Sequence, residues 1–153
     1  VAGEFIFPRV SARAVEFGAA RVPFTIGFNQ LGLPMYSPQV LDHFQNPRNT
    51  GEIQDADGAA EIENPACGDV LRLTLKTSAG RITLIRFKAK GCVAAIACAS
   101  ALTELVMGKT LTEAQHLQRE DISNAVGGLP AGSTHAAQLA VDALSAALNH
   151  FRV

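Results

Sequence analysis

Between residues 70 and 76 the chain alternates, with Leu71, Leu73 and Leu75 set against Arg72, Thr74 and Lys76. Successive side chains of a strand point to opposite faces, so this segment predicts a strand with one apolar and one wet face. Residues 58–63 and 81–88 also have strand character, and TSAG between the second and third runs supplies a short hairpin connection. Ahead of them, Ser37 and Pro38 predict a helix N-cap and first turn, with Val40, Leu41 and Phe44 as the apolar stripe. Pro47 ends that helix, and NPRNTG is a turn-rich exit.

After Gly91 the period becomes helical and holds through Met107. Short helices are predicted over 110–116 and 120–125, before Gly127, Gly128 and Pro130 break the chain. A last helix begins near Ser133 and runs toward His150. On it Ala137, Val141, Leu144 and Leu148 share one face, while Gln138, Asp142, Ser145 and Asn149 line a more polar one. Strands first and helices afterwards predict a single α+β domain, its helices packed on a three-stranded antiparallel sheet.

Residues 1–34 have no such order. They lack periodicity and are punctuated by Pro and Gly, whereas Met35 is followed at once by the patterned segment. The expected division is therefore a leader or extension over 1–34 and a folded domain over 35–153. The leader has three readings: an addition from an upstream frame, a targeting peptide, or a structural extension. Arg9, Arg13 and Arg21 suit the targeting peptide, and Glu4 and Glu16 oppose it.

Composition removes several classes of function. A chain of 153 residues with 48% hydrophobic and 18% charged residues is long enough for one real core. Aromatics reach only 6%, so that core must be built mainly from Leu, Ile, Val, Ala and Phe. The net charge is -1, from 13 basic and 14 acidic residues, and no block supplies the dense positive field that a nucleic acid backbone requires. No apolar run reaches the roughly 18 residues of a membrane span. The least polar stretch, Val93 to Met107, is interrupted by Ser100, Thr103 and Glu104 and reads as a core helix. The cysteines, Cys67, Cys92 and Cys98, are odd in number, which argues against a disulfide framework and for a reducing, cytoplasmic compartment. Neither a nucleophile–base pair nor a nucleotide loop appears, so no enzymatic activity is expected.

Chemistry-bearing residues gather at three junctions. Cys67 and Asp69 lie in NPACGDV, a turn leading into a strand; Cys92 lies in KGCVAA, where strand gives way to helix; His135 lies in AGSTHAAQ, in the first turn of the last helix. Cysteine, histidine and carboxylate are the side chains that bind zinc or iron, and four of them complete a tetrahedral centre. Gly68 lets the backbone turn tightly between Cys67 and Asp69. Cys92, at a helix N-terminus, is expected to have its metal-binding thiolate favoured by the free amides there.

Each residue also has a plainer reading. Cys67 and Cys92 can be small buried hydrophobes, Asp69 a turn cap and His135 a solvent-facing residue, and no CxxC or HExxH pair decides between them. Cys98 sits six residues beyond Cys92, about 240° around an ideal helix, in line with Leu102 and Leu105, and is expected in the core. His43, His116 and His150 are expected at the surface or as caps. Tyr36 and the Asp42–His43–Phe44 run are expected to pack the N-terminal segment against the sheet.

Three long stretches, YSPQVLDHFQNPRNTG, NPACGDVLRLTLK and IRFKAKGCVAAIACASALTELVMGKTLTEA, resemble the IscU/NifU-type iron–sulfur cluster assembly scaffolds. The resemblance spans residues 35 to 150. It implies an α+β scaffold that accepts sulfur from a cysteine desulfurase and iron from another source, assembles a [2Fe–2S] cluster and passes it to apo-proteins. It makes Cys67 and Cys92 cluster ligands, Asp69 a ligand or a group that keeps the cluster labile, and His135 a further ligand. An oxygen ligand binds such a cluster less firmly than thiolate and eases its release.

The chain departs from the family at one decisive place. The family has histidine followed directly by cysteine at the start of the last helix; here His135 is followed by Ala136. A methyl group neither accepts sulfur nor ligates iron. LPAGSTH also replaces the Pro-Pro-Val-Lys type segment of chaperone-recognised members. Three functions stay open: a variant scaffold holding an iron–sulfur cluster or its precursors on Cys67, Asp69, Cys92 and His135; a carrier or regulator holding one zinc or iron ion on the same residues; or a non-metal protein that binds a cysteine desulfurase. A homo-oligomer pooling ligands from two subunits is compatible with the first.

Overall fold

In the computed structural model, residues 36–150 are described, and the leader or extension expected over 1–34 lies outside them. Helix α1, Pro38–Gln45, starts where the Ser–Pro pair places it: the Ser37 hydroxyl accepts from the Val40 amide at 3.0 Å, and Pro38 fills a position whose amide would have had no helical partner. The same hydroxyl donates to the Val126 carbonyl, which ties the helix start to a distant loop.

Strands β1 (Gly58–Glu63), β2 (Val70–Ser78) and β3 (Arg81–Lys90) form an antiparallel sheet in the order β1-β2-β3. The first strand keeps its expected bounds, and the other two run beyond theirs. Ala79 and Gly80 both take positive φ, 54° and 76°, which makes a two-residue turn whose twist suits a hairpin. Pairing therefore continues to Ser78 opposite Arg81, past an irregularity between Lys76 and Thr77.

Leu71, Leu73 and Leu75 are buried as the alternation predicts, with Phe87 opposite Leu73 and Ile85 opposite Leu75. The outer face is less wet than expected at one point. Thr74 is 2% exposed because its hydroxyl accepts from the Ile53 amide at 3.0 Å, so the segment before β1 covers it. Beside it Glu52 holds Arg72 at 2.9 Å and Lys88 at 3.2 Å.

The helices are α2 (Val93–Val106), α3 (Leu111–Gln115), α4 (Arg119–Ala125) and α5 (Thr134–Asn149), with a 3-10 turn at Ala131–Ser133 leading into the last. Helix α2 is apolar on nearly every side and accordingly central, packed against α1, β3, α4 and α5. Helix α5 lies across β1 and β2. The Thr110 hydroxyl and Glu113 carboxylate form a reciprocal cap at the start of α3. The α+β arrangement is thus the expected one. Among the described residues no helix is long and apolar enough to cross a membrane.

Helix α1 packs chiefly on α2, while Tyr36 and Phe44 pack against the core that the sheet lines. One expectation is corrected: His43 is buried rather than at the surface. The reason lies in α2, which buries the polar Ser100 and Thr103. His43 Nδ1 lies 2.8 Å from the Ser100 hydroxyl, which also accepts from the Arg48 amide at 2.9 Å. Buried hydroxyls need such partners, and the first helix supplies them. Burial, followed by the charge of Arg48, holds the His43 pKa below its ordinary value. His116 and His150 do sit at the surface, each with Nδ1 2.7 Å from the carbonyl four residues back.

Candidate metal centre

The loop between β1 and β2 is shaped by Asn64. Its amide donates to the Asp69 carbonyl at 2.8 Å, its carbonyl accepts from the Gly68 amide at 2.7 Å, and its side-chain oxygen accepts from the Ala66 amide at 2.9 Å. Gly68 takes a φ of 76°, a conformation glycine adopts without strain. The closed loop leaves Cys67 exposed and turns Asp69 inward, to 4% exposure. Sequence reasoning passed over Asn64; the Asn-Pro pair, a strong turn signal, marks it.

The second junction follows β3. Cys92 is the N-cap of α2, and its sulfur accepts from the Ala95 amide at 3.4 Å. At the third, the 3-10 turn delivers His135 into the first turn of α5.

These junctions meet. Ligand-type atoms of Cys67, Asp69 and His135 all lie within 4.8 Å of one another. One Asp69 oxygen, Oδ2, is 3.8 Å from His135 Nε2 and accepts from the Cys92 thiol at 3.4 Å. The other, Oδ1, accepts from the Cys92 amide at 3.3 Å. Asp69 is therefore the hub of the site, touching both the second cysteine and the histidine. Cys92 joins the group through it. Ala136, the next residue along α5, is 1% exposed and packed into the core.

The expected ease of ionising Cys92 is corrected. Its thiol pKa is raised, first by partial desolvation of an otherwise exposed residue and further by the neighbouring Asp69 carboxylate. The Ala95 amide acts in the predicted direction, favouring thiolate, but it is outweighed. A cation between sulfur and carboxylate reverses that balance, because a coordinating thiol is deprotonated outright. Cys98 is fully buried and its thiol is pushed up to about 12, chiefly by burial. It belongs to the core, as its helical alignment predicts.

The donor set fits a soft-to-borderline cation. Sulfur, oxygen and nitrogen ligands of a tetrahedral zinc stand about 3.5 Å apart, given metal bonds of about 2.0–2.3 Å. Separations under 4.8 Å need only small side-chain adjustments to reach that spacing.

The family model described as NifU-like N terminal domain matches residues 35–153. The chain belongs to that family. Among its relatives, iron-sulfur cluster assembly scaffold protein IscU 1 of Archaeoglobus fulgidus is 48% identical over 119 residues, covering 77% of this chain and 78% of that protein. Iron-sulfur cluster assembly scaffold protein IscU of Escherichia coli K12 is 42% identical over 121 residues, covering 76% of this chain and 94% of the relative. Of solved structures, the N-terminal part of a nitrogen-fixing NifU-like protein from Brucella abortus superposes with a TM-score of 0.60 at 20% identity, over 75% of this chain and 92% of that one. At that identity the likeness concerns the fold. Both of these relatives are named as assembly scaffolds, in keeping with the expectation of no enzymatic activity.

Proposed function

We propose that this NifU-like domain is a scaffold that holds an iron–sulfur cluster or its precursors and passes them to apo-proteins, with Cys67, Asp69, Cys92 and His135 as its ligands. One observation carries the reading: residues from three junctions converge on Asp69, inside a family whose relatives are named as iron–sulfur scaffolds. Iron and sulfide are the cargo. Thiolates of Cys67 and Cys92 suit both iron and its bridging sulfides, while Asp69 and His135 complete the set with weaker donors. Sulfur arrives from a cysteine desulfurase at Cys67 or Cys92, the exposed thiols, because Ala136 offers none. Loading displaces the Cys92 proton, so uptake releases acid and is favoured by higher pH. Accessible thiols beside a hydrogen-bonded carboxylate suit a reducing, cytoplasmic setting. The scaffold domain is residues 35–153, and residues 1–34 are a leader or extension to it.

A second reading has its own support. Two sulfurs, one carboxylate and one imidazole form a complete tetrahedral set for a single zinc or [2Fe–2S]-free iron ion without any thiol at position 136. The deciding experiment is anaerobic reconstitution with ferrous iron and sulfide, followed by iron, sulfide and zinc quantification and a visible spectrum. Near-equal iron and labile sulfide with sulfide-to-iron charge-transfer bands, lost in C92A, is the outcome expected of a scaffold. A colourless protein carrying one equivalent of zinc overturns the cluster and establishes the mononuclear carrier. No bound metal overturns both and leaves desulfurase binding as the function of the fold.

A further inference from the structure

The glycine that precedes Cys92 has no left-handed backbone to explain it. Gly51, Gly68, Gly80, Gly108, Gly127 and Gly128 all adopt positive φ, whereas Gly91 does not. What distinguishes Gly91 is the space where a side chain would be. A Cβ there would stand 2.4 Å from Asp69 Oδ1, 2.7 Å from its Cγ and 3.0 Å from its Cβ, well inside contact distance. Around Gly68, Gly108 and Gly132, by contrast, an added Cβ meets nothing within 4 Å. At Gly127 it would meet the amide of Gln39, the far end of a long side chain that can move aside.

We infer that Gly91 is a positioning residue for the metal centre: its missing side chain is the slot in which the Asp69 carboxylate lies between Cys92 and His135. This inference rests on the reading that Asp69 belongs to the centre. Aspartate has only two side-chain torsions, so it cannot evade a methyl group at position 91 and still keep its contacts. Turning χ2 alone leaves its Cβ and Cγ against the methyl. Turning χ1 lifts Oδ1 from the Cys92 amide and Oδ2 from the Cys92 sulfur, and changes the approach to His135 Nε2. Displacing the Gly91–Cys92 backbone instead moves the thiol off the same carboxylate. Either response spreads the donors. Gly91→Ala therefore acts on the centre through Asp69, although residue 91 offers no ligand atom.

A double-mutant cycle on the full chain tests this, using wild type, G91A, D69G and D69G/G91A. Two quantities are read: Co²⁺ affinity with its thiolate-to-cobalt absorption, and the thermal midpoint of metal-free protein. G91A is expected to weaken Co²⁺ binding about 10–100-fold, the range for residues that orient metal ligands, with reduced charge-transfer intensity. It is also expected to lower the midpoint by about 4 °C or more. Added to D69G, which empties the slot, the same substitution should shift the midpoint by less than about 1 °C, since the pair is strongly coupled. A midpoint loss on D69G as large as on wild type makes the glycine a backbone requirement and overturns the inference. Unchanged Co²⁺ affinity in G91A also overturns it. If G91A alone fails to fold, folding of D69G/G91A supports the slot and its failure refutes it. Absence of Co²⁺ binding in wild type counts against the metal centre itself, while the metal-free midpoints still decide what Gly91 does.

Discussion

Helix α2 carries a cysteine at its N-cap and another in its middle, and the two have become different chemical objects. Cys92 faces a carboxylate, a helix amide and, through Asp69, an imidazole. Cys98 is a member of the main apolar core and touches no solvent. Both thiols have raised pKa values, and burial leads in both cases. At Cys92 a neighbouring anion adds to it, so an incoming cation finds an electrostatic partner already in place. At Cys98 burial dominates and leaves the sulfur no contact with solvent. The lesson is that helix position decides less than what the opposite element brings to it.

The contrast between core and site edge can be broken in several ways, and the largest effect is expected in the core. Phe87, fully buried on β3, should cost about 3–5 kcal/mol when replaced by Ala, read as a lower urea midpoint. Cys67→Ala, at an exposed loop, should change stability by less than about 0.5 kcal/mol and yet lose metal binding. Comparable destabilisation by both would mean that the loop is part of the core.

Next in size is the cysteine pair. C92A should lower metal affinity by more than about tenfold, measured by competition with a chelator, at a small cost in stability from its lost cap. C98A should leave affinity unchanged and cost about 1 kcal/mol for the vacated core volume. Interchange of these outcomes would overturn the assignment of roles.

Alkylation sharpens the comparison further. Iodoacetamide should label Cys67 in the folded protein and reach Cys98 only on unfolding, as peptide mass spectrometry would show. Cys92 should react more slowly at neutral pH than an ordinary thiol, because its pKa is raised. D69N should speed it by removing one of the causes. An unchanged rate would mean that the carboxylate has no hold on the sulfur.

The smallest effect concerns His43. Its folded pKa lies below the unfolded value of about 6.5, so over that interval the unfolded chain binds more protons than the folded one. Stability should therefore fall as pH drops below about 6.5, and the loss should be complete below the folded pKa. H43Q, which can still serve the Ser100 hydroxyl, should flatten this part of the profile in urea titrations at several pH values. A profile equally steep in H43Q would assign the proton to another group.

Much of the fold was legible because its signals are local. The Leu71–Leu75 alternation, the Ser37–Pro38 cap and the shift to helical period after Gly91 each report on neighbours within a turn or two. Cys98 could be placed in the core for the same reason: its alignment with Leu102 is a property of one helix. His43 could not be placed, because its burial depends on a hydroxyl 57 residues away. Thr74 reads as a wet-face residue until the segment before β1 is laid over it.

The sequence by itself determined which residues have metal-binding chemistry and which junctions carry them, since donor type and turn chemistry are written residue by residue. It also determined that position 136 offers no thiol. Only the tertiary structure decided that Asp69 is the point where the junctions meet, with Cys92 held 23 residues away along the chain and His135 brought in on α5. It decided too that Cys92 keeps its proton more tightly than a helix N-cap suggests, and that Gly91 clears the space for the carboxylate. The physical reason is common to all three. Desolvation, through-space charge and steric clearance are set by atoms that become neighbours only when β3 and α5 close over the same loop.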